Sequence, residues 1–404
     1  MAPSDHPIKR QLYVLSISKL FKDLATGMLV FIIPLYVANM DSLILQDMPA
    51  VLKAGLATTV FGLANSISQP YMGRLSERLD RRKLFLTIGY MVFAIICYTY
   101  ATSGYFESIL FLRIVQGIAI GATIPAIVTM VTHLSASTAR GQAMGIYSSL
   151  RGAFFGIGSM VGGAVVTYYG FVAGFYISAA LVLLSAILIV LFVKETRAPE
   201  TKYPEEESPD GPAIIRILAI AMFMMLVGIM LILSLLPAYQ TRLEATEFLL
   251  SIALSAYVIS RIVFQVPIGI LSDRFGRKLP IIAGIFFNAI IVYGLGHVDT
   301  INSLILLRLL QGIAMAAVET PLLALAVELS GEKKVSSKVS TITSAQAAGV
   351  AMGPLIGGVF GGYVSFETPF HISSLLIILS GILVWAALRK SSYNTGNTGN
   401  PGIN

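Results

Sequence analysis

Charge is scarce in this sequence: only 12% of its 404 residues are Asp, Glu, Lys or Arg. A soluble domain carries about a quarter, so an ordinary water-soluble fold of this length is excluded. Cysteine is nearly absent. The lone Cys97 lies inside an apolar block, which rules out an intrachain disulfide and marks a small apolar residue. Histidine occurs four times, at His6, His133, His297 and His371. Their spacing suits no metal site, and neither metal nor other cofactor is expected. The motifs H-E-x-x-H, G-x-S-x-G and G-x-x-x-x-G-K-[ST] do not occur, so metal hydrolysis, a serine nucleophile and ATP-driven work are not indicated, and no enzyme is expected. Short alternating segments of about ten residues, the mark of barrel strands, are missing too.

What is present is apolar sequence, 56% of the chain, with a mean hydropathy of +0.80. The blocks 84–102, 171–193, 213–238, 280–297 and 367–388 each approach the roughly 20 residues a helix needs to cross a bilayer. The composition predicts an all-α membrane protein of about twelve spans. The polar start, Met1 to Arg10, precedes an apolar stretch with no small-residue cleavage site, which reads as a retained first span rather than a signal peptide. The net charge of +7 is distributed by topology. Most of the 28 Lys and Arg fall in the N-terminus, 74–83, 132–140, 194–216, 272–278, 331–338 and the C-terminal tail, while Lys53 and Arg242 are left for the opposite side. That is the positive-inside bias, with both termini cytosolic and no nucleic-acid partner implied. Short loops and the absence of any N-x-[ST] sequon fit a prokaryotic cytoplasmic membrane.

The acidic, Pro-rich run 195–212 has no apolar face and is expected to be a cytosolic linker. It divides an N-terminal bundle, 1–194, from a C-terminal bundle, 213–390. The tail 391–404 is Gly/Asn-rich and expected to be disordered. The two halves repeat each other. LRIVQGIA at 112–119 returns as LRLLQGIA at 307–314, and GRLSERLDRRK at 73–83 returns as GILSDRFGRK at 269–278. Gly158, Gly162 and Gly163 return 195 residues later as Gly353, Gly357 and Gly358. Repeats at nearly one offset are the mark of an internally duplicated architecture, here six spans per half in parallel repeats.

These residues resemble the major facilitator superfamily over nearly the whole chain. Its loop motif G-x-L-S-D-R-x-G-R-K is matched throughout by the copy containing Gly269, Asp273, Arg274, Gly276 and Arg277. The first copy, with Gly73, Glu77 and Arg78, departs: Glu77 replaces Asp, Asp80 replaces Gly, and an extra residue precedes Lys83. The R-x-x-Q-G motif stands at Arg113–Gly117 and again at Arg308–Gly312. The resemblance implies two pseudo-symmetric six-helix bundles working by alternating access. It also implies that Glu77 faces the eleventh span and Asp273 the fifth, holding the cytosolic side closed, with the motif glycine letting helices approach. Gly158 and Gly162 in the fifth span, and Gly353, Pro354 and Gly357 in the eleventh, are expected to pack helices backbone to backbone. Ser159 stands where the antiporter pattern would place a proline. Pro34, Pro125, Pro237 and Pro321 fall in the four spans that line the cavity in this superfamily.

Lys19, Lys22, Asp23, Arg113, Arg151, Arg261, Arg308 and Glu319 fall inside predicted spans. Each costs roughly 3 kcal/mol at a helix centre, so each should meet a partner or a cavity. Lys19 and Asp23, four apart, share a helix face. By resemblance to the twelve-span drug:proton antiporters, Asp23 is a proton-coupling residue with Arg113 as its partner; a static Lys19–Asp23 pair is the alternative. Glu319 is a second coupling candidate, or a structural partner of Arg261, and Glu328 is expected to pair with Arg274 or Arg277. Met28, Phe31, Tyr36, Met230 and Tyr239 are expected to line the cavity. The leading expectation is a monomeric, proton-coupled exporter of small amphipathic compounds, with lipid and substrate as its partners. The runner-up is transport of an organic anion or phosphorylated metabolite by Arg113, Arg151, Arg261 and Arg308, and the remote third is a transporter-derived receptor.

Overall fold

The computed structural model describes residues 5–44, 46–134, 140–195, 213–328 and 335–390. Among these residues the chain is helical throughout, with no strand. In lipid the backbone must satisfy its own hydrogen bonds, and a helix does so within one segment. The helices are α1 (Asp5–Ala38), α2 (Ala50–Leu79), α3 (Arg82–Tyr100), α4 (Phe106–Leu134), α5 (Arg140–Phe192), α6 (Ala213–Met230), α7 (Ile232–Leu243), α8 (Glu247–Phe275), α9 (Lys278–Leu295), α10 (Ile301–Glu328), α11 (Val335–Tyr363) and α12 (Thr368–Lys390). Eleven stretches among them are long and apolar enough to cross a membrane; α6 and α7 share one, 213–243.

The twelfth span is inside α5. Its apolar stretch, 152–192, runs for 41 residues, about twice what a bilayer needs. It is broken at Gly170, whose φ of 80° and ψ of 170° are non-helical. The contacts along α1 show that the chain reverses there. Gly158 lies against Leu24 and Gly162 against Met28, while Gly174 lies against Ile32, Ser178 reaches Met28 and Ser185 receives the Ser18 hydroxyl. The register climbs α1 before Gly170 and descends it afterwards. Positive φ is open to glycine without a Cβ clash, so one residue joins the fifth and sixth spans.

Twelve spans place the start of α1 and the end of α12 on one face, here called the terminal face; the other is the far face. The spans form two six-helix bundles, α1 to α5 and α6 to α12. Of the segment expected to link them only Glu195 is described, and its carboxylate accepts the Lys83 backbone N–H at 3.0 Å. The tail 391–404 lies outside the described residues.

The bundles meet along two seams. In the first, α2 lies on α11: a Cβ on Gly55 would stand 2.4 Å from the Pro354 carbonyl oxygen, and one on Gly358 would stand 3.2 Å from the Leu52 Cα. In the second, the first half of α5 lies on α8. Here Gly163 faces Ser251, Gly156 faces Val258 and Gly152 faces Ile262.

Candidate functional site

The charged residues inside the spans collect into three clusters. The first is on α1, where Lys19, Lys22 and Asp23 are all nearly buried. Lys19 bonds one carboxylate oxygen of Asp23, and Lys22 reaches the other at 3.2 Å. Spacing by four puts Lys19 on the face of Asp23, and the aliphatic stem of Lys22 bends its ammonium round to the same group. Two ammonium groups thus converge on Asp23.

The second cluster occurs twice, once per bundle. Arg113 of α4 donates to the Ala57 carbonyl at 2.9 Å and to the Gln116 side-chain oxygen at 2.8 Å, with its guanidinium 4.1 Å from the Phe61 ring centre. Tyr100 donates to the same Gln116 oxygen at 2.8 Å. Arg308 of α10 repeats the motif with Gln311, over the Tyr257 ring at 4.5 Å. The N-terminal copy is fully netted. In the C-terminal copy Leu295 stands where Tyr100 stands in the first half, and Arg308 Nε and Gln311 Nε2 have no hydrogen-bond partner among the described residues. The R-x-x-Q spacing sets the arginine and glutamine one turn apart, so the glutamine oxygen fixes the guanidinium and the aromatic ring covers it. Arg113 therefore spends its contacts on α2 and on its own helix. The pairing with Asp23 expected from the sequence is not among them.

The third cluster joins three helices of the C-terminal bundle. Arg261 of α8 meets Glu319 of α10 at 3.2 Å, and Gln346 of α11 donates to the other Glu319 oxygen at 3.3 Å. Both ion-pair partners keep partial exposure, 29% and 17% of their side chains, unlike the sealed arginines of the second cluster. Of the alternatives open from sequence, the geometry gives Glu319 the Arg261 partner. The side chains of Arg151, Glu77 and Glu328 lie outside the described residues.

Three of the residues expected to line the cavity are sealed in this structure. Met28, Phe31 and Tyr239 are fully buried, so none of them lines an open cavity. Tyr36 packs on Phe171 and Phe175 at 5.5 and 4.9 Å, and Tyr239 on Phe366 and Phe370 at 4.9 and 6.1 Å. These are equivalent cores of the two bundles, the phenylalanines recurring 195 residues apart. Met28 touches Ser178 inside its own bundle. Tyr36 and Met230 are half-buried, Met230 beside Gly353. In lipid both faces of a span are apolar, so sequence could not say which face turned inward.

The loop motifs take unlike shapes. Gly276 has φ 88°, where an L side chain would be strained; at the matching place Asp80 adopts the left-handed region at φ 47°, which Asp tolerates better than most residues. Asp273 pairs with Arg277 of its own loop at 3.1 Å and is largely exposed, so its described ion pair is local rather than to the fifth span. Arg78 and Arg274 are exposed. A Cβ on Gly73 or Gly269 would sit in ordinary contact, 3.4 Å from Pro125 or 3.5 Å from Thr320, so close helix approach does not explain these two glycines. It does explain the glycine rows. A Cβ on Gly158 would stand 2.2 Å from the Leu24 carbonyl oxygen, and one on Gly353 2.8 Å from that of Val227. Gly162 and Gly357 pack as tightly on Met28 and Leu231, and Pro354 is buried against Gly55 of the other bundle.

Comparison with known proteins fits this architecture. The family model described as Major Facilitator Superfamily matches residues 15–219 and 218–402. The chain belongs to that superfamily. As a superfamily member it is a multi-pass membrane transport protein. It is 24% identical over 404 residues to the multidrug resistance protein MdtG of Salmonella paratyphi A, covering 96% of this chain and 98% of that one. A 196-residue match to MdtG of Escherichia coli O17:K52:H18 is 28% identical and covers 48% of this chain and 47% of that one. Among solved structures, a bacterial homologue of the human lysosomal transporter Spinster, inward-facing and unoccupied, superposes with a TM-score of 0.76 at 13% identity, covering 96% and 98% of the two chains. The D-xylose–proton symporter gives 0.72 at 17% identity over 93% and 96%. At such identities the likeness is one of fold.

Proposed function

We propose that this transporter works by alternating access and exports small amphipathic organic compounds in exchange for protons, with both termini in the cytosol of a prokaryotic cell. The observation that carries the reading is Asp23, a nearly buried carboxylate in α1 on which Lys19 and Lys22 converge. A carboxylate inside the membrane is retained at a cost of roughly 3 kcal/mol, so it has work to do. A proton neutralises it and releases the lysines. A cationic substrate group competes with that proton for the same oxygens, and such competition makes the two bind in alternation. The likeness to MdtG along the whole chain supports efflux of several chemically different compounds. Glu319 with Arg261 is the second carboxylate suited to proton exchange, since both keep partial exposure.

The test is a resistance spectrum in an efflux-deficient bacterial host expressing wild type or Asp23→Asn at matched membrane levels. Resistance should fall to the host baseline in Asp23→Asn, and drug-driven proton release from wild-type vesicles should vanish with it. Full resistance in the variant would remove Asp23 from the coupling path.

One observation favours a second reading, transport of an organic anion. Lys19, Lys22, Arg113, Arg261 and Arg308 outnumber Asp23 and Glu319 in the described spans, and Arg261 is the arginine among them that keeps partial exposure. Anion flux that is lost in Arg261→Gln, without drug resistance in wild type, would select it.

A further inference from the structure

The four histidines are scattered in sequence, yet the fold brings two of them together. His297 follows the end of α9, and His371 lies in the first turn of α12, on the far face. Both are exposed. Their Nε2 atoms face each other at 3.4 Å, while the ring centres stand 5.1 Å apart at 26°. The rings therefore lean together at the Nε2 edge. Tyr293, one turn before His297, packs tilted on the His297 ring at 4.6 Å and stacks on the His371 ring at 5.1 Å. The Nδ1 of His297 lies 3.0 Å from the Tyr293 carbonyl oxygen. A carbonyl can only accept, so Nδ1 carries the hydrogen and Nε2 of the neutral ring presents its lone pair towards His371.

We propose that His297 and His371 form a site for a divalent transition metal, with Zn²⁺ as the reference ion. Zinc holds imidazole nitrogens at about 2.0–2.1 Å in a tetrahedron, which sets two such nitrogens about 3.3–3.4 Å apart. The separation here matches that edge. The same 3.4 Å also suits a long hydrogen bond donated by a His371 Nε2–H to His297 Nε2, and metal titration separates the two arrangements. The His297 ring is held from behind by a backbone carbonyl, the arrangement that fixes tautomer and orientation in histidine ligands. Imidazole suits Zn²⁺, Ni²⁺ and Cu²⁺ alike, with Cu²⁺ bound most strongly, and the exposed side leaves the remaining positions to water. The charged residues close to the pair in sequence, Asp299 and Glu367, are matched by Arg242 at 3.3 and 2.8 Å. A bound ion would staple the end of α9 to the start of α12.

The test uses the full chain in detergent, with any affinity tag removed and metal stripped by EDTA. Titration with Zn²⁺ alone is expected to give one ion per chain, reversed by chelator, together with a rise in unfolding temperature. His297→Gln and His371→Gln should each weaken binding at least tenfold, while the double change His6→Gln/His133→Gln should leave it intact. No binding by wild type, or equal binding by the His297→Gln/His371→Gln double variant, overturns the proposal. A readout free of variant folding is the Cu²⁺ electron paramagnetic resonance spectrum of wild type. Coupling to two imidazole nitrogens is expected, and coupling to none or one overturns the site.

Discussion

The two seams between the bundles are related by the internal repeat, yet they are built from different chemistry. The α2–α11 seam is smooth: Gly55 meets Pro354 and Gly358, Gly62 meets Ala351, and Gly362 meets Pro49. The α5–α8 seam is pinned by side chains. Ser255 donates to the Gly156 carbonyl at 2.7 Å, Thr167 donates to the Glu247 carboxylate at 3.2 Å, and the Phe248 backbone N–H donates to the Thr167 hydroxyl at 2.9 Å. Where α2 carries Gly55 and Gly62, the matching positions of α8 are Ser251 and Val258; where α5 carries Gly152 and Gly156, α11 has Ala347 and Ala351. The α5–α8 seam has its glycines on α5 alone, whereas the α2–α11 seam draws them from both partners, and each has enough of them to bring two backbones together. Duplication preserved the closeness of approach and let the chemistry diverge. The smooth seam offers little resistance to sliding, and the hydrogen-bonded seam resists it directionally.

The comparison can be broken most severely at the smooth seam. Gly55→Leu or Gly358→Leu should overpack it by about 1–3 kcal/mol, and at about 1.4 kcal/mol per decade the population with this seam closed should drop by about 5- to 140-fold. Spin labels at Ile44→Cys and Tyr363→Cys on a Cys97→Ser background would report the separation. An unchanged distance distribution would mean that the seam tolerates bulk and that the glycines serve another purpose.

A smaller effect is expected from the pinned seam. An interhelical hydrogen bond in lipid averages about 0.6 kcal/mol, so Ser255→Ala or Thr167→Val should shift the same equilibrium by about threefold, read with labels at Tyr169→Cys and Glu244→Cys. If these single changes matched the glycine variants in size, the hydrogen bonds rather than the packing would set the closed state. The smallest effect belongs to a control inside one bundle. The hydrogen bond from Arg242 holds the Glu367 carboxyl below its ordinary value of 4.5, so the pair contributes above the ordinary carboxylate range and is lost as the pH falls through the lowered value. Glu367→Gln should lower the unfolding temperature slightly at neutral pH and not at all in strong acid, and should leave both seam distances unchanged.

Much of the fold was legible in the sequence, because span length, charge bias and repeat offset are each imposed by the bilayer or by duplication. The Lys19–Asp23 contact followed from helical spacing, and the two R-x-x-Q-G motifs announced equivalent sites. What could not be read was direction. Tyr36 and Tyr239 looked like cavity residues, since nothing in an apolar helix separates the face towards its own bundle from the face towards the other. Arg113 looked available to Asp23 until its three contacts to Ala57, Gln116 and Phe61 showed how a short polar motif satisfies its own arginine. His297 and His371, 74 residues apart, meet only because α9 packs on α12.

Gly170 has a consequence for any attempt to edit this molecule. With no loop between the fifth and sixth spans, the phase of one is geared to the phase of the other. A single inserted residue would turn everything after it by about 100°. That would swing Gly174, Ser178 and Ser185 off α1 while Gly158 and Gly162 stayed seated. Flanked by the exposed Tyr168 and Tyr169, this turn looks on a topology map like a convenient place for an epitope. It is a one-residue joint, and a peptide tag placed there should cost the sixth span its seat on α1.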